Sequence, residues 1–172
     1  DKTVVITTNV HQQMRQFVRE ARAINEQEPL RAVVFRGKGS MCHIDVDYQE
    51  CQVLRDNTYE VVDSERDVRE LERRQEELLE QAQAGDDDAA EARSAVMDEL
   101  ERVEDELSDL EETNVCEHYY ENLTRDTDEF YQWLYDDVRM PDDVYEYAET
   151  HGLCGYELLK DGMEGVDLVV CN

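Results

Sequence analysis

The spacing of apolar and polar positions changes along the chain, and each change predicts a different element. Residues 3–8, Thr-Val-Val-Ile-Thr-Thr, are β-branched throughout, which predicts a strand. Asn9 offers an N-cap. Val10, Met14, Phe17, Val18, Ala21 and Ile24 then recur at helical spacing, one stripe over about four turns. Pro29 ends any helix before it. Ala32 to Phe35 predicts a second strand, Gly37 and Gly39 a turn, and the alternation from Cys42 to Tyr48 a third strand. Gln52 to Leu54 and Thr58 to Val62 read as weaker strands. The first 60 residues therefore read as a β-α-β-β unit.

From Ser64 to Thr113 the period switches. Val68, Leu71, Gln75, Leu78 and Ala82 follow spacings of three and four, and Val96, Leu100, Val103, Leu107 and Leu110 repeat the pattern. These are heptad seams. Ser64 with Asp67 resembles a capping box with a shortened acid. Gly85-Asp86-Asp87-Asp88 separates the seams by so few residues that the helices are expected to fold back antiparallel. An arm of about 20–25 residues is ~30–37 Å long, and is expected to project from the α/β body, the alternative being a helix pair lying flat on the sheet as its cover.

Residues 116–172 return to mixed character. Tyr119, Tyr120, Leu123, Phe130, Tyr131, Trp133, Leu134 and Tyr135 crowd together, and Asp126 to Val138 predicts a helix. Pro141 suits a first helical position, Val144 to Thr150 follows as a short helix, and Gly152 ends it. Val166 to Cys171 predicts a last strand pairing with the N-terminal sheet. The expected fold class is α+β: a small mixed β-sheet built from both chain ends, an inserted antiparallel helical (coiled-coil) hairpin, and short C-terminal helices. The expected parts are 1–63, 64–113 and 114–172.

Charge narrows the function classes. The 172 residues carry 17 basic and 45 acidic side chains, a formal charge of -28. Residues 1–60 hold 8 basic and 9 acidic residues, whereas residues 61–172 hold 9 and 36. Phosphate is repelled by such a molecule, which argues against direct nucleic-acid binding and for a basic protein partner. No apolar run approaches the ~18–20 residues that span a bilayer. Asp1 to Thr8 lacks the basic start and apolar stretch of a signal peptide. The expected compartment is the cytoplasm, that of a host cell if the protein is viral. Salt adaptation is the competing account of the acids. Three Lys against 14 Arg fit it, and a near-neutral first third does not.

Candidate chemistry is sparse. The five cysteines, Cys42, Cys51, Cys116, Cys154 and Cys171, include no Cys-x-x-Cys, so reduced, buried structural thiols are the expectation. Cys42-His43, Cys116-x-His118 and His151-x-x-Cys154 are close pairs, but none has finger spacing, and no metal or cofactor is expected. Arg36-Gly-Lys-Gly-Ser40 is glycine-rich and basic after an apolar strand. It lacks the full phosphate-loop spacing and reads as a hairpin turn. Arg15, Arg19 and Arg22 share one helix face. With Arg31, Arg36 and Lys38 they form a basic patch expected to pair with the acidic arm or a neighbouring copy. Asn122-Leu-Thr124 fits the glycosylation pattern, which without secretion carries no weight. No nucleophile elbow, His-Glu-x-x-His or Gly-x-Gly-x-x-Gly occurs, so no enzyme is expected.

The acids of the hairpin are the most distinctive feature. B-form DNA carries one negative charge per ~1.7 Å of axis, so a ~35 Å rod matches about 20 phosphates. In charge and size the chain resembles nucleic-acid-mimicking inhibitors made by phages and mobile elements, a likeness of composition and not of motif. That resemblance implies an anti-defence, non-enzymatic inhibitor occupying the basic nucleic-acid site of a partner. The expected contact residues are Asp86, Asp87, Asp88, Glu91, Asp98, Glu101, Glu104, Asp105, Asp109 and Glu112, with Tyr131, Trp133, Tyr135, Asp136 and Asp137 as anchors beside them. The alternative is a structural or assembly protein of a virus or halophilic organism that self-associates through the hairpin.

Overall fold

The computed structural model describes residues 2–110 and 113–172. They form two compact units, one from Asp1–Gln52 with Glu117–Asn172, the other from Val53–Cys116.

The first unit is built on three short strands, β1 (Val4–Thr7), β2 (Ala32–Phe35) and β3 (Leu168–Cys171). The last strand of the chain lies in the middle, giving the order β1-β3-β2, and both pairings are parallel. The two chain ends do build one sheet, but that sheet is parallel throughout and not mixed. β2 is buried along its whole length, as a strand covered on both faces must be. Alternation sends its side chains to two cores. Ala32 and Val34 join Leu168 and Val170 against Met14, Val18 and Ala21 of helix α1 (His11–Asn25). Val33, Phe35 and Val169 face the opposite way. They meet Phe130 and Leu134 of α5 (Asp128–Asp136), Val144 and Ala148 of α6 (Pro141–His151), and Leu158 and Leu159 of α7 (Gly155–Asp161). Gly152, at φ 70°, caps α6 in the left-handed conformation that favours glycine.

The expected strands at Cys42 to Tyr48, Gln52 to Leu54 and Thr58 to Val62 do not form. A 3-10 turn (Lys38–Ser40) and a loop lead instead into one long helix, α2 (Tyr48–Gln83). Asp47 caps it through Oδ1, which accepts from the Glu50 amide at 2.8 Å. Ser64, the expected helix start, lies inside it. The stripe Cys51, Leu54, Thr58, Val62, Glu65, Val68 is covered or half-covered along α2, in register with the heptad seam that follows. The β-branched Thr58 is held there because its hydroxyl donates to the Leu54 carbonyl at 2.6 Å and accepts from the Cys116 amide at 2.8 Å.

The second unit is a helical hairpin of α2 and α3 (Asp87–Leu110). Gly85, at φ 98°, reverses the chain, and Asp86 Oδ1 accepts from the Asp88 and Ala89 amides to start α3. The helices run antiparallel, since Val61 and Glu65 line one groove with Leu107 and Leu110, while Leu79 lies beside Arg93. Every seam position expected from the heptads is at least half-buried. Helix α4 (Glu117–Thr124) follows in the first unit.

Candidate functional site

Burying Met14, Val18 and Ala21 fixes the roll of α1 and turns Arg15, Arg19 and Arg22 outward. Part of the basic patch is neutralised, although by neither expected partner. Arg22 Nε donates to the Val138 carbonyl at 2.8 Å and the guanidinium lies 3.5 Å from Asp137 and Asp143. Arg36 is bidentate on Asp142, and Arg31 stands 4.3 Å over the Tyr135 ring. Arg15 and Arg19 are exposed and have no ion pair among the described residues. With Val18, Arg22, Met140, Asp142 and Asp143 they line an open groove of about 310 Å³.

The carboxyl ends of the parallel strands lie at one edge, where ligands of open α/β sheets bind. There the Thr8 amide donates to the Cys171 carbonyl at 2.8 Å, and Asn172 Nδ2 donates to the Thr8 carbonyl at 2.9 Å. Asn9, Val10 and His11 follow, all exposed. Asn9 was the expected N-cap, but Val10 occupies that position and caps with no side chain. Helix α1 also has no acid in its first turn, whereas α2 to α7 each have at least one. Its unblocked amides and partial positive charge favour an anion.

The segment Arg36–Ser40 is neither a hairpin turn nor a phosphate loop. Lys38 is turned inward, 3.6 Å from Glu157 and near the faces of Tyr48 and Tyr156. Burial works against its ammonium, but the hydrogen bond to Cys51 and the Glu157 carboxylate outweigh that and hold it above the ordinary lysine value. The His43 ring lies 4.2 Å from that of Tyr145, tilted by 42°, and 5.2 Å from that of His118. Burial, then the neighbouring His118, push His43 below the usual histidine value. Among the described residues, no three or more His, Cys, Asp or Glu side chains are grouped to hold a metal ion. No described helix is long and apolar enough to cross a membrane.

The expected partner-binding residues are divided between the units. Asp86, Asp87, Asp88, Glu91, Asp98, Glu101, Glu104, Asp105 and Asp109 are exposed on the turn and α3, in the second unit. Glu112 lies outside the described residues. Tyr131, Trp133, Tyr135, Asp136 and Asp137 lie in the first unit. The two tyrosines, on α5, are half-buried, their hydroxyls donating to the carbonyls of Leu158 of α7 (3.3 Å) and of Gly162 just after it (2.7 Å). Both rings pack against the core. Asp137 lies 3.7 Å from Arg139, and Asp136 lies 3.9 Å from it.

The DEAD_2 family model matches residues 6–172. The chain belongs to the DEAD_2 family, a helicase-associated domain. No curated protein matches it. This membership overturns the inhibitor reading, with its DNA-mimic, viral and anti-defence associations, and the assembly alternative with it. It also overturns the expectation of a non-enzyme, because the family belongs to ATP-dependent helicases, and the expectation of no direct nucleic-acid contact. Those expectations failed because net charge is a property of the summed surface, while contact is decided where one strand meets one face.

Proposed function

We propose that the chain is a nucleic-acid-engaging part of an ATP-dependent helicase. On this reading it holds phosphates of a strand at the carboxyl edge of the sheet and along the outer face of α1. Membership of the DEAD_2 family is the observation that carries it. Three features of the surface support that placement. Residues 1–52 hold seven basic and seven acidic side chains, against 10 and 38 over residues 53–172, so this stretch repels phosphate least. Arg15 and Arg19 are available as phosphate donors. The start of α1 offers amides that no side chain occupies.

Fluorescence anisotropy of a labelled single-stranded oligonucleotide, titrated with the chain across a salt series, tests the placement. Each phosphate contact to a single strand contributes about 0.7 to the slope of log affinity against log salt. The double substitution Arg15→Ala, Arg19→Ala is expected to weaken binding and flatten that slope by about 1.4. An unchanged slope places the strand elsewhere, and absence of binding by the parent chain removes the reading.

A further inference from the structure

Four planar groups of the first unit form a continuous stack. The Arg139 guanidinium lies 4.7 Å over the Trp133 ring. Trp133 stacks on Tyr147 at 4.5 Å and 26°, and Tyr147 stacks on His151 at 4.0 Å and 15°. Tyr147 and His151 are i and i+4 on α6, so helix geometry sets the last step. The stack is locked from below and along its length. Phe130, fully buried, meets Tyr147 edge-on at 5.4 Å and 63°. Arg139 Nε donates to the Trp133 carbonyl at 3.0 Å, and His151 Nδ1 lies 2.7 Å from the Tyr147 carbonyl.

The stack ends at an exposed ring. Trp133 has one face under Arg139, and Tyr147 lies between two neighbours, but His151 is exposed and no second ring stacks on it among the described residues. Beside it, Arg125 donates to the His151 carbonyl at 2.9 Å and lies half-exposed against Glu121. A packed aromatic column with one open end and an adjacent guanidinium has the makings of a base-stacking platform, because a base offers a π-face and its phosphate a negative charge.

We infer that the outer face of His151 receives one unstacked base of a single strand, with Arg125 meeting the phosphate beside it. The inference rests on the nucleic-acid reading above and adds a second, stacking contact to it. The occupant is a single strand because the faces of duplex bases are already covered by their neighbours. The surroundings favour the uncharged ring over a run of phosphates, since Glu146 and Glu149 are exposed on the same helix. The platform is already ordered by its hydrogen bonds, so stacking freezes little side-chain motion.

The test uses the chain with a short single-stranded oligonucleotide carrying 2-aminopurine, whose fluorescence is quenched when it stacks. Quenching and affinity are read for the parent, His151→Ala, His151→Phe and the Arg15→Ala, Arg19→Ala double variant. Base stacking on an aromatic ring is worth roughly a five- to hundredfold change in affinity. His151→Ala is expected to bind on the order of tenfold more weakly and lose most of the quenching, with its salt slope unchanged. His151→Phe keeps a flat ring and is expected to behave as the parent. Full quenching in His151→Ala, with circular dichroism intact, overturns the platform alone. Failure of His151→Phe to restore quenching also overturns it, because the proposal needs only a ring. Loss of salt slope in the double variant with quenching retained supports both contacts. No binding by the parent overturns the nucleic-acid reading and the platform together.

Discussion

At the scale of single residues, close approach and burial set the sharpest constraints. Gly155 opens α7 where it passes α6. A Cβ placed there would lie 3.0 Å from the Ala148 Cβ, 3.2 Å from a Val144 methyl and 3.4 Å from the Val144 carbonyl. None of these belongs to a flexible side-chain end, so the packing of α7 on α6 must give slightly to admit it. Gly155→Ala is expected to cost about 1–3 kcal/mol in urea unfolding, with the secondary structure retained. A second constraint is titratable. Burial, then the charge of Asp161, push the Tyr131 phenol up to about 12. Its folded value lies above its unfolded one, so its contribution is fully present below about pH 10 and is lost as pH rises from 10 towards 12. Tyr131→Phe is expected to remove that alkaline loss relative to the parent and one late-titrating phenol from the absorbance titration. The residue-level reading of the sequence saw the aromatic crowd around Tyr131 but took it for surface anchors. Composition does not tell a hydroxyl that reaches a carbonyl of another helix from one that reaches water.

At the scale of elements, the helical hairpin was the part best read from sequence, and for a physical reason. A heptad seam needs only neighbours three and four residues apart, and a two-helix hairpin has no other core to override it. Val68, Leu71, Leu78, Val96, Leu100, Val103 and Leu107 all fall on the covered side. The strands expected between Cys42 and Val62 failed because Thr58, Val61 and Val62 carry β propensity, and propensity yields to context. The decisive cues were the Asp47-x-x-Glu50 cap and the stripe running on from Cys51, both present in the sequence. The hairpin seam is thin, and Val103 is its best-buried member on α3, at 7% exposure. Val103→Asp, which buries a carboxylate without a partner, is expected to unfold the hairpin first. Amides of α3 would then exchange faster by at least tenfold while those of β2 and β3 keep their protection. Equal loss of protection in both units would mean that they unfold as one.

At the scale of the whole molecule, charge and family membership make opposing demands, and salt separates them. The acids that first suggested a DNA mimic are concentrated beyond residue 52. Residues 53–116 hold 23 acidic and seven basic side chains, and residues 117–172 hold 15 and three. Such a surface repels itself in the folded state, and that repulsion is screened as the Debye length falls from about 30 Å at 0.01 M salt to about 3 Å at 1 M. Contact with phosphates runs the other way, because added salt weakens counterion release. The family was not read from the sequence, because its largest signal, net charge, reports on the surface and not on the fold. Raising salt from 0.05 to 1 M is therefore expected to raise the melting temperature by several degrees, about 2–4 °C per kcal/mol for a chain of this size, while weakening oligonucleotide binding. A melting temperature that falls over that range would mean that surface ion pairs, such as those of Arg73 with Glu70 and Glu77, stabilise the fold more than the excess acids destabilise it.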